Sequence, residues 1–161
     1  MVSAHAGCRV VSAALLALAG AGFAPAALAQ QAPVPQAPVP PGQTAGRLTT
    51  HVLDTVSGKP GAGVRITFEE AQGEGWRTVK TVTTNADGRT DQPLLAGETM
   101  AAGRYRLVFH VGEYFARLGV PLSDPPFLDR VPVEFAVADP RAHYHVPLLV
   151  TPWSYATYRG S

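Results

Sequence analysis

Apolar and polar residues alternate in short stretches along the chain from residue 47 onward. Val64, Ile66 and Phe68 alternate with polar residues, and the same period of two recurs over 105–111 and 131–137. Because successive side chains of a strand point to opposite faces, this period predicts half-buried β-strands. Further extended runs lie at 47–54, 76–84 and 143–150, with a last short strand after Pro152.

Turns separate these strands, and one short helix is predicted among them. Asn85-Ala86-Asp87-Gly88 is a turn sequence in which Gly88 can take a positive φ. Residues 112–118 are the predicted helix, with Phe115 and Leu118 facing a sheet. Seven or eight short strands in about 115 residues, without regular alternation with helices, predict an all-β fold, an antiparallel β-sandwich.

The first 29 residues lack this pattern and are typical of a secretory signal peptide. Arg9 precedes an apolar stretch over 10–23, and Ala27-Leu28-Ala29 is a small-x-small cleavage site. The stretch is short for a membrane span, and an uncleaved membrane anchor is the alternative. A cleaved signal over 1–29 predicts a periplasmic protein.

A proline-rich spacer follows the predicted signal peptide. Residues 30–46 repeat the sequence QAPVP, which is typical of an extended polyproline segment without a buried core. A plain tether is the favoured interpretation, and a ligand for a proline-recognition module is the alternative. The folded domain is therefore predicted at 47–161.

Composition excludes several classes of protein. Lys plus Arg is 13 and Asp plus Glu is 12, a formal net charge of +1, whereas nucleic-acid-binding proteins usually show a basic excess. Cys8 is the single cysteine, which excludes an internal disulfide framework and a Cys-rich zinc site. Because Cys8 lies in the predicted signal peptide, the mature chain would carry no thiol, which suits an oxidising compartment.

Two histidines lie on the side of a predicted strand that faces away from the core. The even-numbered positions of 143–150 form an apolar row that suits the core: Tyr144, Val146, Leu148 and Val150. His143 and His145 lie in the opposite row, together with Pro147 and Leu149. This second row is partly apolar, which predicts that another subunit covers it and that histidines line the seam of an oligomer.

The first strand and the predicted turn supply further candidate residues. His51 shares a face with Thr49 and Leu53, so it lies near His145 if the first and seventh strands are neighbours. Arg89 follows the turn where a loop leads into a strand, a common position for a site residue. Taken alone, each of these side chains is more often a surface or structural residue than a catalytic one.

Three separated motifs match one known family. They are LTTHVLD at 48–54 followed by Gly58-Lys59-Pro60, then Asp87-Gly88-Arg89, and finally HYHVPLL at 143–149 leading to Tyr158-Arg159-Gly160-Ser161. On these motifs the chain resembles the 5-hydroxyisourate hydrolases, transthyretin-related enzymes of urate degradation, over residues 47–161. The terminal tetrapeptide separates these hydrolases from the transthyretin hormone carriers.

The resemblance implies a transthyretin-like sandwich of two four-stranded sheets. It also implies a homotetramer, a dimer of dimers with active sites in clefts at the dimer–dimer contact. His51, Arg89 and His145 match the family's catalytic residues, and Tyr158 joins His51 and Arg89 in contacting substrate. The residues expected to support the site are His143, Arg159 and Ser161.

The implied reaction is hydrolytic opening of the 5-hydroxyisourate ring at its N1–C6 bond, without a metal or an organic cofactor. The product is 2-oxo-4-hydroxy-4-carboxy-5-ureidoimidazoline. A neutral imidazole can take a proton from water, and a guanidinium offers donors to an oxyanion. We therefore expect the His51–His145 pair to supply the base and its orienting partner, and Arg89 to stabilise the oxyanion. The sequence does not decide which histidine takes the proton.

Two other functions compete with this interpretation. A transthyretin-like carrier or periplasmic ligand-binding protein would share the fold, but the carriers lack the histidine set and the terminal tetrapeptide. A zinc hydrolase using His51, His143 and His145 is the second alternative, because three nitrogens can hold Zn²⁺ with one open position. The expected partner is the small-molecule substrate; neither nucleic acid nor, after signal cleavage, a membrane is expected.

Overall fold

The structure is a computed structural model that describes residues 45–160. The predicted signal peptide, most of the predicted spacer and Ser161 lie outside the described residues. In chain order the strands are β1 (Arg47–Asp54), β2 (Lys59–Pro60), β3 (Arg65–Gln72), β4 (Gly75–Thr83), β5 (Leu95–Ala96), β6 (Gly103–His110), β7 (Arg130–Val137), β8 (His143–Val150) and β9 (Tyr155–Thr157). A 3-10 turn spans Gly97–Thr99, and helix α1 spans Val111–Arg117. Within 45–160, no helix is long and apolar enough to cross a membrane.

The strands form two sheets with a shared core. The first sheet has the order β2-β1-β8-β9, and β5 also pairs with β1. The second sheet has the order β4-β3-β6-β7. The predicted β-sandwich of two sheets with one short helix is confirmed. It differs from the prediction in two respects: the first sheet has five strands, and β1 and β8 run parallel.

Three separate segments share one edge of β1. β8 pairs with all eight residues of β1 and therefore occupies the whole of the other edge. On the shared edge, β5 pairs with the first residues of β1 and β2 pairs with the last. Between them, Arg89 forms an isolated antiparallel bridge with His51. The fold therefore attaches the loop that carries Arg89 directly to the middle of β1.

The alternating apolar residues pack between the two sheets. Leu48 and Val52 of β1, Phe68 of β3, Phe109 of β6 and Leu148 of β8 have no exposed surface. Removing such side chains from water stabilises the fold by about 1.5–3 kcal/mol each. The core therefore holds the even-numbered residues of β1 inward, which turns the odd-numbered residues to the outer face.

Strand β8 follows the prediction closely. Its predicted core row is buried throughout: Tyr144, Val146, Leu148 and Val150. His143 is exposed and His145 is half-buried, so both imidazoles lie outside the core, as predicted. Pro147 is buried as well.

The helix differs from the prediction at its end. Phe115 is buried, as predicted, but Leu118 is 52% exposed, so the prediction that it faces a sheet is wrong. α1 ends at Arg117, and Gly119 takes a φ of 72°, the left-handed conformation that commonly ends a helix. The chain therefore turns away before Leu118 can reach the core.

Candidate active site

The parallel register of β1 and β8 places the candidate residues on one face. Thr49 is opposite His145, and His51 is opposite Pro147, two positions further along. These outer-face residues of β1 are half-buried, because Leu48, Thr50 and Val52 point into the core. The imidazoles of the two strands therefore lie on the same side of the first sheet, as the sequence predicted for neighbouring strands.

The turn before Arg89 is built to hold that residue against β1. The Asn85 side-chain oxygen accepts hydrogen bonds from the backbone N–H groups of Asp87 (3.0 Å) and Arg89 (3.1 Å). Gly88 has a φ of 70°, and its carbonyl accepts a hydrogen bond from the Val52 N–H at 2.8 Å. A Cβ at Gly88 would lie 2.4 Å from the Val52 carbonyl oxygen, so only glycine fits there.

Arg89 and His145 line a cleft of about 320 Å³ on this outer face. The other side chains and backbone segments that line it belong to Arg47, Thr49, Thr50, Thr90, His143 and Tyr144. Two arginines contribute to this lining and no carboxylate does. The cleft is therefore suited to a small polar molecule with carbonyl oxygens or negative charge.

The environment of His51 favours the neutral imidazole. Burial lowers the pKa of His51 below its ordinary value, and the positive charge of Arg89 lowers it further. Hydrogen bonding to the Asp87 backbone and the Asp87 charge act in the opposite direction, but they are smaller. His51 therefore keeps a free lone pair at neutral pH, which a proton acceptor requires.

His145 is held on two sides. Its Nδ1 lies 2.9 Å from the Thr49 hydroxyl oxygen, within hydrogen-bonding distance. Gly160 lies so close to the ring that an added Cβ would be 2.7 Å from His145 Cδ2. Burial lowers the pKa of His145, followed by the charges of Arg89 and His51. This ring is therefore neutral and fixed beside the same guanidinium as His51.

The C-terminal segment folds back onto β8. The Gly160 N–H donates to the His145 carbonyl oxygen at 2.9 Å, and the guanidinium carbon of Arg159 lies 4.8 Å from the Tyr144 ring centroid. Tyr158 is 59% exposed and lines a separate crevice of about 310 Å³, which His145 also borders. Tyr158 is thus next to His145 but outside the lining of the Arg89 cleft.

The structure brings together some predicted residues and adds others. Arg89, His143 and His145 line one cleft. His51 is outside that lining, but it bridges to Arg89 and its charge acts on His145. Ser161 lies outside the described residues. The residues that sequence reasoning missed are those with supporting contacts, namely the Thr49 hydroxyl, the Asn85 side chain and the Gly160 backbone. Their positions in the predicted strand, turn and tail were the only available signals.

The zinc alternative requires three ligands that converge on one point. Among residues 45–160, no group of three or more His, Cys, Asp or Glu side chains is placed to hold a metal ion. His51, His143 and His145 are therefore not arranged as a metal site in this part of the chain.

Comparison with known proteins relates the chain to one family. A family model described as HIUase/Transthyretin family matches residues 48–160. A 5-hydroxyisourate hydrolase of Ralstonia nicotianae is 58% identical over 116 residues, covering 72% of this chain and 99% of that protein.

Two solved structures agree with this relationship. A crystal structure of (S)-allantoin synthase is 45% identical with a TM-score of 0.69, and the match covers 74% of this chain and 45% of that chain. The 5-hydroxyisourate hydrolase of Klebsiella pneumoniae is 31% identical with a TM-score of 0.58, over 74% of this chain and 94% of that chain. The chain belongs to the HIUase/transthyretin family, and within that family it is a hydrolase.

Proposed function

We propose that this protein hydrolyses 5-hydroxyisourate to 2-oxo-4-hydroxy-4-carboxy-5-ureidoimidazoline, a step of urate degradation. The proposal depends above all on one observation: β1, β8 and the loop after Asn85 bring His51, His145 and Arg89 together on one face. The hydrolases to which the chain is similar carry the name of this substrate.

Water attack is the first step of the proposed reaction. A neutral imidazole of the His51–His145 pair takes a proton from water as its oxygen bonds to the C6 carbonyl carbon. Burial and the nearby Arg89 lower the pKa of both rings, which keeps this lone pair available at neutral pH. General base assistance of this kind is worth about 10²–10⁴ in rate.

Arg89 stabilises the charge that develops on the C6 oxygen. Its guanidinium is permanently cationic and presents a planar set of donors that suits a carbonyl edge. The backbone of Arg89 is held by Asn85 and by the bridge to His51, so the donor is placed before the reaction begins. Such a preorganised donor lowers a barrier by about 3–4 kcal/mol.

Collapse of the tetrahedral intermediate breaks the N1–C6 bond. The electron pair goes to N1, which receives the proton that the imidazole took from water. C6 becomes a carboxylic acid, which releases the second proton of water to solvent as it ionises to the carboxylate. No net proton is gained or lost by the histidine pair. Tyr158 contacts substrate from the crevice beside His145, and His143, Arg159 and Ser161 support the site.

We also propose that the protein acts as a homotetramer in the periplasm after removal of residues 1–29. The outer face of the first sheet carries half-buried Leu53 and Leu149, and Trp153 and Tyr155 nearby are 62% and 47% exposed. Burial of an apolar face of this kind against another subunit is favourable. Light scattering on the purified protein measures the assembly, and the N-terminal sequence of material from the periplasm tests for a start at Gln30.

The decisive experiment uses freshly generated 5-hydroxyisourate and the mature protein. Its decay, followed by absorbance, should be much faster than the spontaneous reaction, and His51→Gln should remove most of the difference. Binding of substrate without accelerated decay would instead support the ligand-binding alternative. Activity that disappears on exhaustive chelation and returns with Zn²⁺ would support the zinc alternative.

A further inference from the structure

We infer that Thr49 is a positioning residue that fixes the tautomer of His145, with the proton on Nδ1 and the lone pair on Nε2. His145 is then the ring that takes the proton from water. This inference rests on the proposed function and goes beyond it, because it separates the roles of the two histidines.

The hydrogen bond between Thr49 and His145 is set by the backbone. The two residues are directly opposite each other in the parallel pair of β1 and β8, and their side-chain atoms Oγ1 and Nδ1 are 2.9 Å apart. Threonine is branched at Cβ, so its hydroxyl has few accessible rotamers on a strand. The position of the hydroxyl therefore follows from strand register and does not depend on a loop.

Proton transfer determines which atom donates in this hydrogen bond. A hydroxyl can donate or accept, whereas a protonated imidazole donates from both nitrogens. Once His145 has taken a proton, Thr49 must therefore accept from Nδ1–H. If Thr49 also accepts from Nδ1–H in the neutral ring, the hydroxyl needs no rotation during the reaction, and Nε2 is free to act as the base.

The contacts of the two rings favour His145 for this role. His145 has Thr49 at Nδ1 and Gly160 against Cδ2, and no atom of residues 45–160 forms a hydrogen bond with its Nε2. The His51 ring has a hydrogen bond to the Asp87 backbone, which belongs to the turn, and lies 3.2 Å from where a Gly88 Cβ would be. The hydrogen-bond partner of His145 is a side chain fixed by strand register, whereas the partner of His51 belongs to a turn. His145 is therefore the proton acceptor, and His51 is the neighbouring ring beside Arg89.

The second sheet provides a matched control. There the Thr67 hydroxyl oxygen lies 3.0 Å from Nε2 of His110, again between neighbouring strands. This pair is remote from the lining of the Arg89 cleft. Thr67→Val therefore removes the same kind of hydrogen bond without touching the proposed site.

The test compares Thr49→Val, Thr49→Ser and Thr67→Val with the wild-type protein. Thr49→Val should lower kcat by about 10–100-fold, the range seen when the orienting partner of a metal-bound histidine is lost. KM should change less, because the hydroxyl orients the base and does not bind substrate. Thr49→Ser restores the hydroxyl and should restore kcat, and Thr67→Val should match the wild type. Thermal unfolding checks that each variant is folded.

Nitrogen NMR of the imidazole rings gives a readout that needs no substrate. In the neutral wild-type protein, His145 should show a protonated Nδ1 and an unprotonated Nε2, and Thr49→Val should produce a mixture of tautomers. A protonated Nε2 in the wild type, or full kcat in Thr49→Val, would overturn the inference. If the wild type does not hydrolyse 5-hydroxyisourate, the proposed function fails, while the NMR spectrum still decides the tautomer.

Discussion

The outer faces of the two sheets each carry a threonine–histidine pair that lines a cleft, but the groups around the two pairs differ. On the first sheet His145 lies beside Arg89, in a cleft without a carboxylate in its lining. On the second sheet His110 is only 4% exposed, and its buried Nδ1 lies 3.5 Å from Glu113 Oε1. Thr67 and His110 also line a cleft, of about 520 Å³, but Glu69 belongs to its lining. The two pairs therefore differ in the charges around them and in the burial of the imidazole.

The arginines of the two faces differ in the same way. On the second sheet, Arg65 bonds Glu113 and Arg106 bonds Glu69, so each guanidinium already has a carboxylate partner. Arg89 forms no ion pair with any carboxylate among residues 45–160. A guanidinium without a carboxylate partner can stabilise a new negative charge, so charge pairing, more than residue type, distinguishes the candidate active site from the outer face of the second sheet.

Removal of a histidine should produce the largest difference between the two faces. His51→Gln and His145→Gln should each lower kcat by about 10²–10⁴, the range of general acid–base assistance. His110→Gln on the second sheet keeps a polar group for Thr67 and should leave kcat per folded molecule unchanged. Steady-state kinetics with freshly generated substrate, corrected for the spontaneous rate, measures all three. Equal losses in the three variants would contradict the comparison.

Replacement of an arginine should give the next largest effect. Arg89→Met should lower kcat by about 10²–10³, the loss typical for one preorganised donor to an oxyanion. Arg65→Met removes a guanidinium that already has a carboxylate partner and should leave turnover close to wild type. If Arg89→Met retains wild-type turnover while still folded, the guanidinium does not stabilise the transition state.

A methyl group beside the His145 ring should have a smaller effect. Gly160→Ala places a Cβ 2.7 Å from His145 Cδ2, so the ring or the tail must move. A displacement of this size can cost up to about 10²-fold in rate when it affects a catalytic group. Gly75→Ala in the second sheet is the control, because its Cβ meets nothing closer than 3.7 Å. Wild-type kcat in Gly160→Ala would show that the tail does not position the ring.

The pH dependence should show the smallest of these effects, with a defined sign. Burial and Arg89 lower the pKa of His51 and His145 below 6.5, so the neutral base persists below that pH. We expect kcat/KM to fall with decreasing pH only below 6.5, since this ratio reports the free enzyme. In Arg89→Met the inflection should move to higher pH, because one cause of the lowered pKa is gone. An inflection above 6.5 in the wild type, or no shift in Arg89→Met, would contradict this reasoning.

The strands and the faces of the candidate residues could be predicted from the sequence, because a period of two is visible in one chain. The structure has β1 and β8 over the predicted residues, with His51 and His145 outside the core. The period indicates which face a residue takes but not which strand lies beside it. The sequence therefore could not predict that β1 pairs with β8 in parallel, nor the Thr49–His145 hydrogen bond that depends on this pairing.

The alternation of apolar and polar residues also could not predict very short strands, the end of the helix or the C-terminal segment. β2 and β5 have two residues each, too few to show a period, and so the five-stranded first sheet was not predicted. Leu118 fits a helical spacing with Phe115, but α1 ends at Arg117, so Leu118 is not on the buried helix face and stays exposed. Tyr158 was matched by its motif alone, and a motif does not specify which crevice its side chain lines.

The arrangement on the shared edge of β1 links solubility to activity. An uncovered strand edge is a template for pairing with other chains and a common origin of aggregation. Here the loop segment at Gly88 and Arg89 covers the middle of that edge between β5 and β2. Any local opening that detaches this loop removes the guanidinium from the cleft and uncovers the edge in the same event. Heat inactivation and the onset of self-association should therefore occur together.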